Sequence, residues 1–530
     1  MNVSILRLLV LGCSYTALTT SLNVLAYSTQ QHPRLQKPQT ALVWLRTSLR
    51  VNDNLALTCG ADMGPDGLTI LYTWSQGKIP QTPAAVFECA AARALEKSLQ
   101  EKQQSLSVLH TNGDTIHQVA NAVKELQPSA IIVDTHEHPE DAKKLQTMFP
   151  HLNIIQLKDE NTLLHPFSKT TAVLGRSRQG GKILRWATIL SNMQNESVIL
   201  PLNKIQSLPV AVSISNTLPL PEPTAAGNWA KALLQSWGEV SETEALIRAE
   251  ASATKIDCEL GNAGKIPIES RLSPYIRWGM ISPRQASKIG IRQRDLLWRD
   301  WSHLCYYSLL NPLRRGEPVI KLLDRCYSLE EEENYDQQHL KFSSWCVGNT
   351  GSPLVDAGMR QLWLEGWMPR HIRLLCAACL VEGLNIDWRK GRDWFEHTLI
   401  DHDPAINEMM WQNAGFCGVD PFYSGLKWEE PLKHYSEYTD HYIKQSLHLP
   451  SELREYANQD APHEWVELAS TRRDAFRKNG VYKAATRVAN SGIRVAWPGI
   501  NQGDVVADGE VIGVGRTLIN ELVFNIRRNM

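Results

Sequence analysis

Apolar and polar positions follow two different periodicities along this chain, and the first begins at about residue 41. Short apolar stretches there alternate with segments whose apolar residues recur at helical spacing, residues 82–101 and 115–126. Strands that alternate with helices indicate a parallel, doubly wound sheet, so residues 41–165 are predicted to form an α/β domain. The predicted strands are ALVWL, LTILYTW, SLSVLH, AIIVDTH and NIIQL.

The second periodicity is helical, runs from residue 243 to residue 446, and predicts an all-α domain. Residues 166–242 separate the two domains and are rich in Ser, Pro, Gln and Asn. Because such residues interrupt regular structure, we expect a long connector that runs over the surface. Residues 447–530 form a C-terminal extension whose apolar and Gly/Val-rich pieces suit packing on the body, and no function is assigned to it.

A long apolar run at residues 373–383 has charges only at its ends and predicts a buried helix. A second helical piece follows and ends near the sequence LID. Beyond it, Asp403 is predicted to be an N-cap, with Pro404 in the first turn of the next helix. Asn407 and Trp411 are four residues apart and share a face of that helix. A carboxylate, an amide and an indole on successive turns predict the lining of a cofactor pocket.

Composition narrows the possible functions only slightly. A chain of 530 residues is long enough for two or three domains. A formal net charge of -1 gives no overall basic field for nucleic acid, although a local basic groove is compatible with it. Cys376 and Cys379 form a CxxC inside the apolar run, which favours buried thiols over a metal site. No second pair with zinc-ligand spacing appears, so no metal is predicted. No GxGxxG is present, which disfavours a classical dinucleotide site in the α/β domain.

The first 40 residues differ in composition from the rest and are predicted to be a targeting segment. Arg7 precedes an apolar stretch that ends at Ala26, as in a signal peptide. Residues 27–40 are polar and acid-free, as organellar transit segments are. The combination predicts plastid import, with a mitochondrial presequence or the secretory route as alternatives. The apolar stretch is too interrupted to span a membrane, so no membrane anchoring is expected.

Five ordered motifs between residues 41 and 449 resemble the cryptochrome/photolyase family. This resemblance implies an α/β plus all-α fold, in which an N-terminal Rossmann-like parallel sheet domain is joined by the long connector to a C-terminal helical FAD-binding domain. It also implies FAD as cofactor and allows a folate-type antenna pigment in the α/β domain. The motifs are DWRKG, LIDHDPAIN, GNTGSPLVDAGMRQLWLEGWM, SRLSPYIRWGMISPRQ and LLWRDW.

The resemblance assigns residues around FAD by their match to the family's motifs. Arg373 and Asp401 match an ion pair over the isoalloxazine ring, where it stabilises negative charge on the reduced ring. Asp403 matches the residue that bonds the pyrimidine edge of the ring, and Asn407 the residue that faces flavin N5. The remaining matches are Ser270, Leu272 and Ser273 for the diphosphate and ribitol, Arg299 beside the flavin, and Trp367.

The resemblance further implies a chain of aromatic residues that carries electrons to the photoexcited flavin. Trp411 and Trp388 match its two inner members. The outer member falls at Tyr335 by the family's spacing, and a tyrosine suits a terminal donor if its phenol proton reaches water. Alternatively, another aromatic residue such as Trp394 completes the route.

The match weakens where a repair enzyme would hold damaged DNA. Trp298 and Trp367 are in place, and Asp295 stands where the family usually has Glu. Pro369 and Arg370, however, replace a His and an Asn that donate to the damaged bases, and proline has no side-chain donor.

Two functions therefore stay open, with a flavoprotein whose light chemistry is vestigial as a third option. Pro369 and Arg370 favour a blue-light receptor with a signalling partner that the sequence does not identify. Asp295, Trp298 and Asn407 favour a light-driven photolyase, a carbon–carbon lyase that acts on pyrimidine dimers in damaged DNA. The sequence predicts neither the oligomeric state nor whether the protein is an enzyme.

Overall fold

The computed structural model describes most of the α/β and helical parts of the chain. The described residues are 38–75, 77, 79–111, 113–134, 137–157, 162–164, 182–183, 202–203, 205, 207–253, 270–309, 316–318, 335–415, 417–418, 435–458 and 493–494. The predicted targeting segment up to residue 37 lies outside these residues, as does most of the C-terminal extension.

A five-stranded sheet forms the centre of the first domain, and all of its strand pairs are parallel. The strand order is β3-β2-β1-β4-β5, so the chain reverses its direction of growth between β1 and β4. The strands are nearly continuous apolar runs, as expected of a sheet covered on both faces. This confirms the predicted parallel sheet. The strands are β1 (Thr40–Leu45), β2 (Gly67–Trp74), β3 (Leu106–His110), β4 (Ala130–Asp134) and β5 (Asn153–Leu157).

Alternate side chains of β1 enter two different cores. Leu42 and Trp44 pack in a cluster with apolar residues of α3 and α4. Val43 and Leu45 belong to the larger cluster, which includes α1, α2 and the helical domain. The hydrophobic core on this face of the sheet is therefore continuous with the core of the helical domain. These helices are α1 (Leu55–Met63), α2 (Pro83–Gln100), α3 (Thr115–Leu126) and α4 (Pro139–Met148).

The loop after β1 joins the two domains by donating hydrogen bonds to backbone carbonyls of the second domain. The Leu49 N–H donates to the Trp278 carbonyl at 3.2 Å, and the buried Arg50 Nη1 donates to the Gly279 carbonyl at 2.9 Å. Gly279 has φ +68, and a Cβ there would lie 2.0 Å from the Thr47 carbonyl oxygen. A glycine is required at this position because both the conformation and the close approach exclude a side chain.

The predicted connector is not wholly irregular. Helix α5 (Asn228–Trp237) lies inside it and buries Leu233 and Trp237 in the larger core. A two-residue strand β6 (Lys182–Ile183) pairs antiparallel with β7 (Ile493–Arg494), which belongs to the C-terminal extension. The expectation of a surface connector therefore needs correction at α5, where two apolar residues at helical spacing, Leu233 and Trp237, give the helix a buried face.

The second domain is helical, and its long apolar run differs from the prediction in one respect. The α-helix begins at Arg370 and ends at Ala378, and Cys379–Gly383 forms a π-helical turn. Such turns insert one residue into the hydrogen-bond pattern and rotate the residues that follow. The helices are α6 (Glu242–Ala253), α7 (Ser273–Arg277), α8 (Pro283–Ile289), α9 (Gln293–Leu304), α10 (Tyr335–Val347), α11 (Pro353–Glu365), α12 (Arg370–Ala378), α13 (Trp388–Thr398), α14 (Pro404–Ala414), α15 (Ser436–Ile443) and α16 (Ser451–Asn458).

Among the described residues, no helix combines the length and the apolar character needed to cross a bilayer.

Candidate functional site

The turn between α13 and α14 is held by a buried ion pair. Arg373 on α12 donates from Nη1 and Nη2 to the two carboxylate oxygens of Asp401, at 3.1 and 2.8 Å. Its Nε donates to the Met368 carbonyl at 2.9 Å, which fixes the plane of the guanidinium group. The Asp401 side chain is 3% exposed and that of Arg373 is 23% exposed. The arginine therefore holds the carboxylate and still presents part of its own surface outside the pair.

Asp403 lies two residues further on and caps α14, as predicted. Its Oδ1 accepts from the backbone N–H groups of Ala405 and Ile406 at 3.0 and 3.2 Å. Its Oδ2 lies 2.7 Å from Nε2 of His303 on α9. Arg299 Nε is 3.9 Å from the same oxygen, a distance that allows an ion pair but not a hydrogen bond.

Burial alone would raise the pKa of the Asp403 carboxyl group. His303 opposes this through its charge and its hydrogen bond, and Arg277 and Arg299 add to the effect, so the pKa lies well below its usual range. Asp403 is therefore an ionised carboxylate with 4% exposure. The sequence did not predict His303, although its position four residues after Arg299 on α9 places both on one helix face.

Arg277 connects this turn to the α/β domain. Its Nε donates to the His402 carbonyl at 2.7 Å, and its Nη1 pairs with Glu137 at 2.8 Å, where the side chains are 9% and 8% exposed. Glu137 follows β4 in the first domain. The sequence could not predict this contact because 140 residues separate the partners.

Asn407 and Trp411 both face inward from α14, as the four-residue spacing predicted. They are 7% and 2% exposed. The Asn407 Nδ2 donates to the Arg392 carbonyl on α13 at 3.0 Å, and this bond fixes the orientation of the amide. Its Oδ1 is therefore left on the other side of the amide as an acceptor.

Trp388 and Trp411 are packed by reciprocal contacts between α13 and α14. A Cβ at Gly391 would lie 2.1 Å from Trp411 Cη2, and a Cβ at Gly415 would lie 2.5 Å from Trp388 Cδ1. Each indole thus packs directly on the backbone of the partner helix. Both are at most 2% exposed, so the two matched tryptophans are rigid interior groups.

Other aromatic residues surround this pair. The Trp411 ring contacts Phe395 at 5.0 Å and Trp345 at 6.1 Å between centroids, both edge to face. The alternative residue Trp394 stacks on Trp363 at 5.9 Å with an interplanar angle of 13°. Tyr335 begins α10, but its side chain lies outside the described part of the structure. Its role as outer electron donor therefore stays a prediction.

The residues matched to the diphosphate lie at the start of α7. Ser273 is exposed, and its Oγ accepts from Trp367 Nε1 at 2.9 Å. Ser270 Oγ accepts from the Leu272 N–H at 3.4 Å, and Leu272 is buried. Because each hydroxyl accepts a hydrogen bond from the protein, its own hydrogen is directed elsewhere and suits an anionic ligand oxygen.

These donors and acceptors fit FAD. Hydroxyl hydrogens suit the diphosphate, the partly open guanidinium of Arg373 suits an electron-rich ring, and the remaining lone pair of Asp403 Oδ2 suits a ring N–H. Buried Arg299, whose Nη1 donates to the Thr162 carbonyl at 2.7 Å, keeps a fixed positive charge beside them. These residues together supply the donors, acceptors and positive charge that a dinucleotide with a polar heterocycle requires.

The predicted substrate residues show a different arrangement. Asp295 lies 3.4 Å from Arg370 Nη1 and 3.3 Å from Arg292 Nε. The Arg370 guanidinium carbon lies 5.9 Å from the centre of the Trp298 ring, and Trp298 is 6% exposed. The acid is thus paired with two arginines, and little of the indole is left accessible.

Two protein-family models match parts of this chain. Residues 292–489 match the model described as the FAD binding domain of DNA photolyase, and residues 41–172 match the model described as DNA photolyase. The deoxyribodipyrimidine photo-lyase of Agrobacterium fabrum is 27% identical over 414 residues, which cover 73% of this chain and 82% of that protein. Cryptochrome-1 of Arabidopsis thaliana is 25% identical over 463 residues, which cover 78% of this chain and 64% of that protein.

A solved structure shows the same fold. The class III photolyase of Agrobacterium tumefaciens superposes with a TM-score of 0.62 at 23% identity, covering 85% of this chain and 100% of that chain. The chain belongs to the photolyase/cryptochrome family, and its helical domain binds FAD. Relatives are named both photolyase and cryptochrome, so family membership is consistent with a receptor and with a repair enzyme.

Proposed function

We propose that this protein is a blue-light photoreceptor of the cryptochrome kind. When bound, FAD supplies light absorption and one-electron redox chemistry. In this role Trp411 and Trp388 carry electrons inward from the protein surface. Two guanidinium groups, of Arg389 at 4.6 Å and Arg392 at 5.5 Å, face the Trp388 ring. These cations disfavour a positive charge on that indole and so favour its onward movement to an outer donor.

The ion pair between Arg373 and Asp401 is the element that we expect to respond to light. Asp401 is negative and nearly fully buried, and Arg373 holds it by two hydrogen bonds. An additional negative charge nearby attracts the guanidinium and repels the carboxylate. The turn from Asp401 to Asp403 is thereby strained, and its movement is the signal that a partner protein would detect.

One observation carries the choice of receptor over repair enzyme. Arg370 covers the face of Trp298 and pairs with Asp295, so the two groups that match a lesion-reading pair are engaged by the protein itself. A flipped-out base would have to displace this arginine and leave the carboxylate with Arg292 alone. Pro369, which precedes Arg370, supplies no side-chain donor in exchange.

The proposal is tested by a repair assay. Purified FAD-loaded protein is reduced, mixed with a dimer-containing oligonucleotide and illuminated with blue light, while a second sample is tested for light-driven bleaching of the oxidised flavin band. We expect bleaching without restoration of the bases. Restoration at a turnover rate typical of an enzyme would establish the repair function instead.

A double variant sharpens this test. Pro369→His with Arg370→Asn removes the covering guanidinium and supplies two side-chain donors. Because stacking of a base on an aromatic ring is worth about 1–3 kcal/mol, we expect the variant to bind dimer-containing DNA about tenfold more tightly than the parent. Lys444→Asn, at a position 76% exposed and remote in sequence, is the control and is expected to change nothing. Equal binding by parent and double variant would refute the covering role of Arg370.

A light-driven DNA photolyase is the second candidate. Relatives with this name support it. Trp298 and Asn407 also favour it by their resemblance to the repair enzymes, and Asp295 supplies a carboxylate where those enzymes usually have Glu. In this case the Arg370–Asp295 contact opens when DNA binds. The assay above separates the two functions directly, because only a photolyase restores the bases.

Three further assignments are proposals that the assay does not address. Plastid import rests on the composition of the first 40 residues and is tested by fusing them to a fluorescent protein. A signalling protein is the expected partner of the receptor.

A folate-type antenna is tested by extracting pigment from the purified protein. The α/β domain has a cavity of about 650 Å³ beside Arg46, His138 and Lys144 that is large enough for a small pigment.

A further inference from the structure

His303 occupies a completely buried position on α9 against the turn that precedes α14. It is 0% exposed, and its Nε2 lies 2.7 Å from Asp403 Oδ2. A buried imidazole in contact with a buried carboxylate has to satisfy a hydrogen bond in a low-dielectric environment, where such a bond is strong. Neither the motifs nor the matched cofactor residues include this histidine.

The direction of the bond follows from the state of the carboxylate. Asp403 is ionised, because His303, Arg277 and Arg299 hold the pKa of its carboxyl group well below the usual range against the effect of burial. An ionised carboxylate has no hydrogen to donate, so the shared hydrogen is on Nε2 and His303 is the donor. Such charge-assisted bonds are roughly twice as strong as neutral ones.

The other cations near Asp403 do not replace this bond. Arg299 Nε is 3.9 Å from Oδ2, and its Nη1 donates to the Thr162 carbonyl. Arg277 directs its Nε to the His402 carbonyl and its Nη1 to Glu137. The second oxygen, Oδ1, is used to cap α14. The His303 bond therefore determines where Oδ2 points.

Two anchors thus hold the short segment that contributes most to the cofactor site. Arg373 fixes Asp401 at one end through two hydrogen bonds, and His303 fixes Asp403 at the other. Asn407 lies one helical turn beyond Asp403, so its side chain takes its direction from the first turn of α14. If Asp403 were released, the cap and the orientation of this turn would both loosen.

We propose that His303 is a positioning residue of the FAD site, which orients Asp403 and the first turn of α14 by donating a hydrogen bond from Nε2. The proposal rests on FAD binding by the helical domain and is independent of whether the protein is a receptor or a repair enzyme. It requires no change in the protonation of His303 during light absorption.

The test compares two substitutions of full-length protein prepared without cofactor and then titrated with FAD. His303→Leu keeps the volume approximately and removes the donor, whereas His303→Gln places an amide N–H near the position of Nε2. Since hydrogen bonds to charged groups contribute enough to change an equilibrium about ten- to hundredfold, we expect FAD affinity to fall by that factor in the Leu variant. In the Gln variant it should fall by no more than about threefold.

Two spectroscopic readouts accompany the titration. The fine structure of the flavin absorption band and the visible circular dichroism report how the ring is held, independently of activity. Both should be altered in whatever FAD the Leu variant retains and restored in the Gln variant. If the Leu variant does not fold, His303→Asn serves in its place, because the asparagine amide is too short to reach Asp403 Oδ2. We expect the Asn variant to bind FAD as weakly as the Leu variant would.

A structural control separates positioning from general stability. Tyr438 is also 0% exposed in the helical domain, and its hydroxyl donates to Gln361 Oε1 at 2.8 Å. Tyr438→Phe should lower the thermal unfolding temperature without changing FAD affinity or the flavin spectra. Wild-type affinity and spectra in His303→Leu, whatever its stability, would refute the proposal, as would a Gln variant that binds FAD as weakly as the Leu variant.

Discussion

The turn from Asp401 to Asp403 and the predicted DNA-binding opening, which is formed by Asp295, Arg292 and Arg370, both contain ion pairs of aspartate and arginine, yet they differ in rigidity. In the turn, Asp401 and Asp403 are buried, and each is held by a hydrogen-bond partner, Arg373 at 2.8 Å and His303 at 2.7 Å. In the opening, Asp295 is 40% exposed and its two arginine partners are at 3.3 and 3.4 Å. Buried, short contacts fix a geometry, whereas exposed ion pairs of this length exchange easily with water. The cofactor cradle is therefore preorganised, and the opening is adjustable.

The largest expected effect comes from breaking the buried pair. Arg373→Leu leaves the Asp401 carboxylate without its partner, which costs about 3–5 kcal/mol in buried pairs. We expect colourless protein, because FAD is lost, and a matching fall in the free energy of unfolding measured with urea. Arg373→Leu combined with Asp401→Leu should recover much of the stability but not the FAD. A coloured single variant would contradict the assigned role.

Asp403→Asn tests the second anchor and should depend on pH. It removes a charge-assisted bond, so we expect a loss of about 2–3 kcal/mol at neutral pH. The folded pKa of Asp403 is depressed, so its contribution is present above the unfolded pKa of about 3.9 and is lost as the pH falls towards the folded pKa. The stability difference between the two proteins should therefore shrink below about pH 4. A difference independent of pH in that range would contradict the charged state of Asp403.

Gly391→Ala tests the packing of the inner tryptophan. The added methyl group would lie 2.1 Å from Trp411, and overpacking of this kind costs about 2 kcal/mol. The thermal unfolding temperature should fall, and light-driven bleaching of the flavin should slow if Trp411 shifts. Trp411→Phe in the same chain removes the contacted indole atoms and should restore part of the stability but not bleaching, since Leu380 Cδ2 would still lie 2.6 Å from the added methyl group. Normal bleaching in this double variant would remove Trp411 from the electron route.

The smallest effect is expected in the opening. Asp295→Asn interrupts ion pairs of exposed side chains, so the free energy of unfolding should change by less than about 1 kcal/mol, and the FAD spectrum should be unchanged. A loss as large as that of Arg373→Leu would show that the opening is as rigid as the cradle and would invalidate the comparison. The measurement is urea unfolding at low and high salt, since screening weakens such pairs.

Local signals in the sequence were sufficient for the elements and for the lining of α14. The cap at Asp403, the Pro404 start and the shared face of Asn407 and Trp411 depend on spacing within one helix, and the structure agrees with each. The strands were equally predictable from the sequence, because strands buried on both faces are continuous apolar runs. The π-helical turn at Cys379–Gly383 was not predicted, since an extra residue in a helix leaves the apolar pattern almost unchanged.

Contacts between distant segments were beyond reach of the sequence. His303 and Asp403 are 100 residues apart, and nothing in the local pattern of α9 distinguishes this histidine from one that packs in a core. The covering of Trp298 by Arg370 was likewise invisible, although the replacement of a donor by Pro369 already indicated a changed opening. The resemblance supplied the cofactor, while only the fold shows which side chains hold the matched residues in place.

The bridge between Glu137 and Arg277 bears on whether the helical half can be used by itself. A fragment that begins at residue 243 would keep the guanidinium, with its fixed bond to the His402 carbonyl, and lose the carboxylate that neutralises it. Arg277 would then keep Asp403 and the His402 carbonyl nearby but lose its 2.8 Å ion pair with Glu137. Engineers who wish to transplant this flavin-binding unit into another protein should therefore carry the edge of the sheet along with it.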